Sequence, residues 1–364
     1  MKQWSNEVLM SVSSNLEFNN LLIKAAQENV SDLHLSVGSE PRARIGADLK
    51  DWSSGVITQE YLEENILKKL NQNQKDFFNQ QKSLTFCQNF SDNLRFRISL
   101  FHQENKPSAV LRFIPQKIKS IEELGLPKIV ETVANANRGL VLVSGLSGAG
   151  KTTTIASAIE HINQRQNKSI ITVEKSIEYQ HVNQKSLIEQ REVGPDTISF
   201  SKASADLLNS DVNVIYFSYL PDEKTAINIL ELSQQALVFL EITSSSIIDS
   251  LSDFLSVFNS DIKEEKRIIL SKNLIAVLNQ ILVKRQGGHL LPVMEIMLAS
   301  NAIATAIAEN RFQRIYDIIT TSGHEGMITK ERSLAELVLK GQVLLDEALK
   351  YVENKEEFKQ MVLK

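Results

Sequence analysis

From Gly139 to Thr154 the chain reads Gly-Leu-Val-Leu-Val-Ser-Gly-Leu-Ser-Gly-Ala-Gly-Lys-Thr-Thr-Thr, and few stretches limit a fold so sharply. The apolar run Leu140 to Val143 predicts a short buried strand, and a helical pattern begins near Thr152. Between them Gly145, Gly150, Lys151 and Thr152 satisfy G-x-x-x-x-G-K-[ST], with Gly148 an extra glycine inside the loop. Strand, glycine-rich turn and helix in that order make a phosphate cradle. Successive backbone N–H groups turn inward, the helix points its positive end at the same place, and no Cβ blocks the approach. The candidate nucleotide-binding residues are therefore Gly145, Ser147, Gly148, Ala149, Gly150, Lys151, Thr152 and Thr153. Lys151 is expected to meet the β- and γ-phosphates of ATP, and the Thr152 hydroxyl to be the metal ligand for Mg²⁺.

A chain of 364 residues exceeds what one core usually supports, which predicts two domains. Its 42% apolar and 23% charged residues are those of ordinary globular protein. A net charge of −4 offers no general attraction to nucleic acid or to anionic membrane. The single Cys87 excludes an intrachain disulfide and a cysteine-built metal site, and it fits a reducing compartment. No run approaches 18 apolar residues, and Met-Lys-Gln-Trp-Ser-Asn-Glu lacks the apolar segment of a secretory signal, so the expected location is the cytoplasm.

The polar residues 1–15 read as a flexible extension. Residues 16–114 then read as a small α+β domain. It begins with a helix over Leu16 to Gln27. A strand follows at Ser31 to Ser36 and a second at Arg42 to Gly46. An amphipathic helix over Thr58 to Gln74 precedes three more strands, at Leu84 to Phe90, Leu94 to Phe101 and Ser108 to Phe113. Arg95 and Arg97 alternate with Phe96 and Ile98 and so share one face of the sheet, and Arg112 recurs on the next strand. Three such cations are ordinarily a solvated face; beside a nucleotide they become phosphate-directed. Residues 115–127, with Pro115, Gly125 and Pro127, read as a linker. In 128–364 apolar runs at Ile170 to Val173, Val212 to Tyr219, Ala236 to Ile242 and Val293 to Leu298 alternate with helical patterns, the signature of an α/β parallel sheet. From Ala302 the chain reads as helical. Of the histidines, His34 reads as structural, His161 as lying on the outer face of its helix, and His289 and His324 as solvent-exposed.

Taken in order, these residues resemble the PilT family of type IV pilus retraction ATPases, within the secretion ATPase superfamily. Ser31-Asp32-Leu33-His34-Leu35-Ser36 is similar to that family's N-terminal signature, and Arg95-Phe96-Arg97 with Leu111-Arg112 resemble the arginine-bearing strands of its PAS-like domain. Arg138 to Val143 with the loop, Gln190 to Gly194, Gly287-Gly288, Glu295 to Met297 and the Gly323-to-Met327 turn resemble later motifs in order and spacing. The resemblance implies a PAS-like α+β domain followed by a RecA-like P-loop motor domain. It further implies a ring, expected to be a homohexamer, that uses ATP and Mg²⁺ and works on an inner-membrane pilus platform protein without nucleic acid. Glu178 and Glu174 are the catalytic residues it implies, Glu178 as the activator of the attacking water. Arg95, Arg97 and Arg112 are the nucleotide-binding arginines it implies.

Departures from the family pattern fall where hydrolysis is controlled. The acidic box Glu-Asp-Pro-Ile-Glu is Glu174-Lys175-Ser176-Ile177-Glu178 here, which turns an aspartate into a lysine. The Walker B sequence Gly-Glu-Met-Arg-Asp is Ser218-Tyr219-Leu220-Pro221-Asp222, and the His-Thr box is Thr243-Ser244-Ser245. A phenol with a pKa of about 10 cannot replace a metal-orienting carboxylate near pH 7. These changes predict an ATP-binding motor subunit for pilus retraction and twitching motility with impaired hydrolysis. The alternative is a non-catalytic partner in a mixed ring with an active PilT-like paralogue. A RecA-like nucleic-acid motor is disfavoured by the acidic charge balance.

Overall fold

The computed structural model describes residues 6–363 apart from 29, 46, 47, 54, 92, 93 and 116, with side chains from residue 17 onward. The chain forms two compact units, the first of residues 1–117 with 178–180 and the second of 118–177 with 181–364.

In the first unit a helix runs from Asn6 to Gln27. It begins well before Leu16, so residues 6–15 of the stretch read as an extension are helical, and residues 1–5 lie outside the described residues. Serines at 11, 13 and 14 made that stretch look like loop, yet serine costs a helix only a few tenths of a kcal/mol per residue. The strands are β1 Asp32–Ser36, β2 Arg42–Ile45, β3 Asp48–Asp51, β4 Ser83–Ser91, β5 Leu94–Gln103 and β6 Lys106–Ile114. They form one sheet in the order β3-β2-β1-β6-β5-β4, and every pairing is antiparallel. Alternation sends Leu33, Leu35, Phe96, Ile98, Leu100, Ala109 and Leu111 into a core that Phe18 and Leu22 of the first helix and Leu62 complete. The single helix expected over Thr58 to Gln74 is instead Gln59–Asn65, a 3₁₀ turn Leu67–Lys69, and a helix Gln72–Gln81. Leu70 closes the 3₁₀ turn and Asn71 starts the second helix: its side chain caps Gln74 while Gln74 reaches back to the Asn71 N–H, a reciprocal capping box.

The second unit holds a seven-stranded sheet. Its strands are β7 Gly139–Ser144, β8 Ser169–Glu174, β9 Leu187–Glu192, β10 Val214–Phe217, β11 Leu237–Ile242, β12 Leu274–Lys284 and β13 Leu290–Leu298. The order is β13-β12-β7-β11-β10-β8-β9, parallel throughout except for the antiparallel β12–β13 pair. β7 is an interior strand, buried along its whole length, which is why it reads as an unbroken apolar run rather than an alternating one. One face packs on the helix Lys151–Arg165 through Ile155, Ala158, Ile159 and Ile162, at the three- and four-residue spacing that puts them on one stripe. The other face carries helices Glu223–Leu232 and Ile247–Ser256. Ile121 and Leu126, in the stretch read as a linker, are buried in this unit's core. His161 corrects the sequence reading: it is buried, not on an outer face. Burial, helped by Arg165 and opposed by Glu131, holds its imidazole below the usual histidine range.

Candidate functional site

β7 ends at Ser144, and the chain turns through Gly145 to Gly150 into the helix Lys151–Arg165. Two glycines of that turn are required. A Cβ on Gly145 (φ +148°) would stand 2.3 Å from the Gln280 carbonyl oxygen and 2.8 Å from the Ala149 Cβ, and one on Gly150 (φ +86°) 2.9 Å from Gln280 Nε2. The loop is held from below by Gln280 of β12. Its Nε2 donates to the Ala149 carbonyl at 2.7 Å, and its Oε1 accepts from Thr154 Oγ1 at 2.7 Å. Behind the loop, Ser144 Oγ is held by Ser250 Oγ at 2.7 Å and Asn279 Nδ2 at 3.0 Å.

Ser147 and Gly148 lie exposed on the loop's outer rim, and Ala149 is buried beneath it. Lys151 is only 5% exposed, and its Nζ donates to the carbonyls of Gly145 (2.8 Å) and Leu146 (3.1 Å). The ammonium is thus folded into the loop, where a phosphate would be cradled. Thr152 and Thr153 open the helix, both half-buried. Thr152 Oγ1 donates to Glu241 Oε2 at 3.1 Å, and Tyr216 OH donates to the same oxygen at 3.0 Å. Glu241 Oε1 is 3.7 Å from Lys151 Nζ. These groups suit a nucleotide with a hard, largely hydrated cation. There is a glycine cradle, one ammonium, one hydroxyl and one carboxylate beside it. Among the described residues no group of three or more His, Cys, Asp or Glu could hold a metal unaided.

Neither Glu241 nor Gln280 was singled out from the sequence. The signal was present: Glu241 is the one charge in the otherwise apolar Leu237–Ile242, and it belongs to the strand beside β7. In β12, Gln280 and Asn279 interrupt an apolar run in the same way, and both are buried.

Glu174 closes β8, 3% exposed, and its Oε1 accepts from Thr172 Oγ1 at 2.6 Å and Gln190 Nε2 at 3.3 Å. Lys175 follows it. Its N–H donates to Ser218 Oγ at 2.9 Å, and its ammonium lies 3.1 Å from the ring centre of Tyr219, which also meets Phe200 edge-on at 5.9 Å. The two exchanged positions of the acidic box and Walker B therefore touch each other as a cation–π pair. Burial lowers the Lys175 pKa, and the charge of Glu241 opposes that shift. Asp222 is occupied as the N-cap of the helix Glu223–Leu232, accepting from Thr225 N at 2.8 Å. Thr243 is exposed, while Ser244 and Ser245 bind Asp253 and Asp249 of the following helix.

The arginines belong to the first unit, and with them residues 178–180. Arg97 and Arg112 face each other across β5 and β6, an arrangement of like charges that needs separate counter-ions. Arg112 takes Asp32 across β1 and β6, with Nε and Nη2 both 2.9 Å from Oδ1. Arg97 takes the Glu178 carboxylate, and Arg95 donates from Nε to the Glu178 carbonyl at 3.1 Å and from Nη1 to Asn89 Oδ1 at 2.7 Å. Burial pushes the Asp32 carboxyl up, but the hydrogen bond and charge of Arg112 outweigh it and leave the pKa below the usual value. Arg95, Arg97 and Arg112 thus each have a bonded partner, and Arg97 and Arg112 remain part-exposed.

A family model described as type II/IV secretion system protein matches residues 57–226. The chain is 32% identical over 344 residues to a type IV pilus retraction ATPase, PilT, of Pseudomonas aeruginosa, spanning 94% of this chain and 100% of the relative. It is 28% identical over 351 residues to the type IV pilus ATPase PilU of the same organism, 95% of this chain and 91% of the relative. Among solved structures, the pilus retraction motor PilT with bound ADP superposes with a TM-score of 0.82 at 30% identity, covering 93% of this chain and 98% of that one. The ATPase DotB of Legionella pneumophila, 16% identical, superposes with a TM-score of 0.77 over 92% of this chain and 94% of that one, a likeness of fold. The fold is the RecA-like one of secretion ATPases, preceded by a small α+β domain.

Proposed function

Since the chain belongs to the PilT family of type IV pilus retraction ATPases, we propose that it is an ATP-binding motor subunit of type IV pilus retraction and twitching motility whose own hydrolysis is impaired. The observation that carries this reading is a contrast within one site. The loop, Lys151 and Thr152 keep the geometry that binds phosphates, whereas the Walker B acid position is a phenol covered by an ammonium.

In the bound state Lys151 leaves the carbonyls of Gly145 and Leu146 for the β- and γ-phosphates, which are stronger, charged acceptors. The N–H groups from Gly148 to Thr153 line the α- and β-phosphates. Thr152 would hold Mg²⁺ through its hydroxyl oxygen, and the ion would supply neutralisation of the phosphate charge. Glu178 is the candidate that takes the proton of the attacking water and Glu174 its acidic neighbour. In the free chain Glu178 is paired with Arg97, so it must exchange that partner before acting. Arg95, Arg97 and Arg112 are planar donors suited to a γ-phosphate presented by a neighbouring subunit of a ring, expected to be a hexamer. The working place of such a ring is the cytoplasmic side of the inner membrane, on the pilus platform protein. No helix among the described residues is long and apolar enough to cross a membrane.

Titration calorimetry with ATP·Mg²⁺ tests the binding half. Lys151→Ala removes a charge-assisted contact of about 1.5–3 kcal/mol and is expected to weaken affinity at least tenfold; equal affinity in the variant would refute the phosphate-cradle reading. Phosphate release by the purified chain tests the other half. Slow release alone, with release by a mixture with an active PilT-like paralogue that exceeds the sum of the two measured apart, supports the mixed ring over the homohexamer.

A further inference from the structure

We infer that Glu241 is a metal-positioning residue, the carboxylate that orients Thr152 toward Mg²⁺ in place of an acid at Tyr219. The inference rests on the nucleotide-binding reading above. Alternation along β11 puts Glu241 on the same face as Phe239, which packs with Val143, Tyr216 and Ile155 beneath the helix that begins at Lys151. A glutamate there is a departure, since the neighbouring positions of that strand are apolar and buried. Its side chain is 17% exposed, and burying a carboxylate without partners is costly. Here both oxygens are engaged and aimed. Oε2 accepts from Thr152 and Tyr216, and Oε1 faces Lys151.

The Thr152 bond carries the most information. A hydroxyl has one proton and two lone pairs. When the proton is committed to Glu241, both lone pairs turn away from the carboxylate, and one is available to a cation beside the phosphates. That is how an outer carboxylate fixes the direction of a metal ligand and raises its basicity. Tyr216, on the neighbouring strand β10, holds the carboxylate so that it does not swing to the ammonium. The opposing possibility is that Glu241 locks Lys151 and repels phosphate. The distances favour the first role: 3.7 Å from Oε1 to Nζ is beyond a hydrogen bond, and the ammonium gives its protons to two backbone carbonyls instead. Tyr219, after β10, and Lys175, after β8, contribute no acid to the metal themselves.

The test measures affinity for a non-hydrolysable ATP analogue with excess Mg²⁺ and with EDTA, in the unaltered chain, Glu241→Gln and Tyr216→Phe. Glutamine keeps the shape and an acceptor for Thr152, and matched thermal midpoints report that the fold is kept. In the unaltered chain Mg²⁺ is expected to tighten binding strongly. In Glu241→Gln the Mg²⁺-dependent gain should fall about tenfold, with affinity in EDTA within twofold of the unaltered chain. Tyr216→Phe should lose a smaller part of the same gain. A full Mg²⁺ gain in Glu241→Gln, with binding retained, would overturn this inference and leave the nucleotide-binding reading standing. Tighter binding of the variant in EDTA and Mg²⁺ alike would also overturn it, in favour of a lock on Lys151. Failure of the unaltered chain to bind would remove the nucleotide-binding reading and this inference with it.

Discussion

Restoring the acid at position 219 is a test that the Lys175–Tyr219 contact makes quantitative. A carboxylate put where the ring now stands comes within about 4 Å of the Lys175 ammonium, which is 3.1 Å from the ring centre. Two unit charges at that distance attract by about 4 kcal/mol at an effective dielectric of about 20. Tyr219 is 42% exposed, and solvent screening reduces such a pair to about 1 kcal/mol. A tenfold gain in rate needs about 1.4 kcal/mol of barrier. Tyr219→Glu alone is therefore expected to spend most of its benefit on Lys175 and raise turnover only a few-fold, whereas Tyr219→Glu with Lys175→Ala should gain tenfold or more. The assay is phosphate release at saturating ATP, with nucleotide affinity measured in parallel so that only the rate of turnover is compared. A single variant as fast as the double would refute sequestration by Lys175. A double variant that binds ATP but gains nothing would refute the claim that Tyr219 is what limits hydrolysis.

Gly145→Ala should weaken nucleotide binding and lower the thermal midpoint more than Gly148→Ala, because a Cβ at 145 strikes the Gln280 carbonyl and one at 148 meets open space; calorimetry and a melting series decide it. Burial raises the Glu295 pKa despite the N–H of Ile247. Its favourable contribution is therefore full below the unfolded value and lost as pH rises through the folded one. Glu295→Gln should accordingly gain stability relative to the unaltered chain as pH climbs above about 4.5 in denaturant titrations. For Asp32 the sign is opposite, since its pKa is lowered against Arg112. Asp32→Asn should cost stability at neutral pH, and the difference should shrink as pH falls below 3.8. Charge-removing exchanges at Arg95, Arg97 and Arg112 together should reduce ring assembly or discrimination between ATP and ADP in sedimentation and binding assays; no change in either would return them to a purely local role.

The phosphate loop was legible because strand, turn and helix each carry their own local signal, and β7, β8, β10 and β11 showed as apolar runs. β12 was not read, because its apolar residues follow directly on the helix Ser260–Asn273 without glycine or proline between them, and periodicity alone does not mark the change from helix to strand there. β9 escaped for a different reason. It is an edge strand, paired among the described residues with β8 alone, and its Leu-Ile-Glu-Gln-Arg-Glu is too polar to stand out. The exchanges at 175 and 219 were visible singly, but nothing in the order of residues says that the lysine lies over the tyrosine. The acid at 241 was visible as a letter and silent as a function, since only the pairing of β11 with β7 brings it to Thr152.

The grip of Gln280 on the loop bears on how quickly nucleotide comes and goes. A phosphate loop with no support must be ordered by its ligand, and that ordering is subtracted from affinity and slows capture. Here one side chain from a neighbouring strand ties the Ala149 carbonyl at the end of the turn to Thr154 in the first turn of the helix, which fixes the junction of loop and helix. On the nucleotide-binding reading, a phosphate that enters would require Lys151 to leave the Gly145 and Leu146 carbonyls, with less of the loop-to-helix junction left to order.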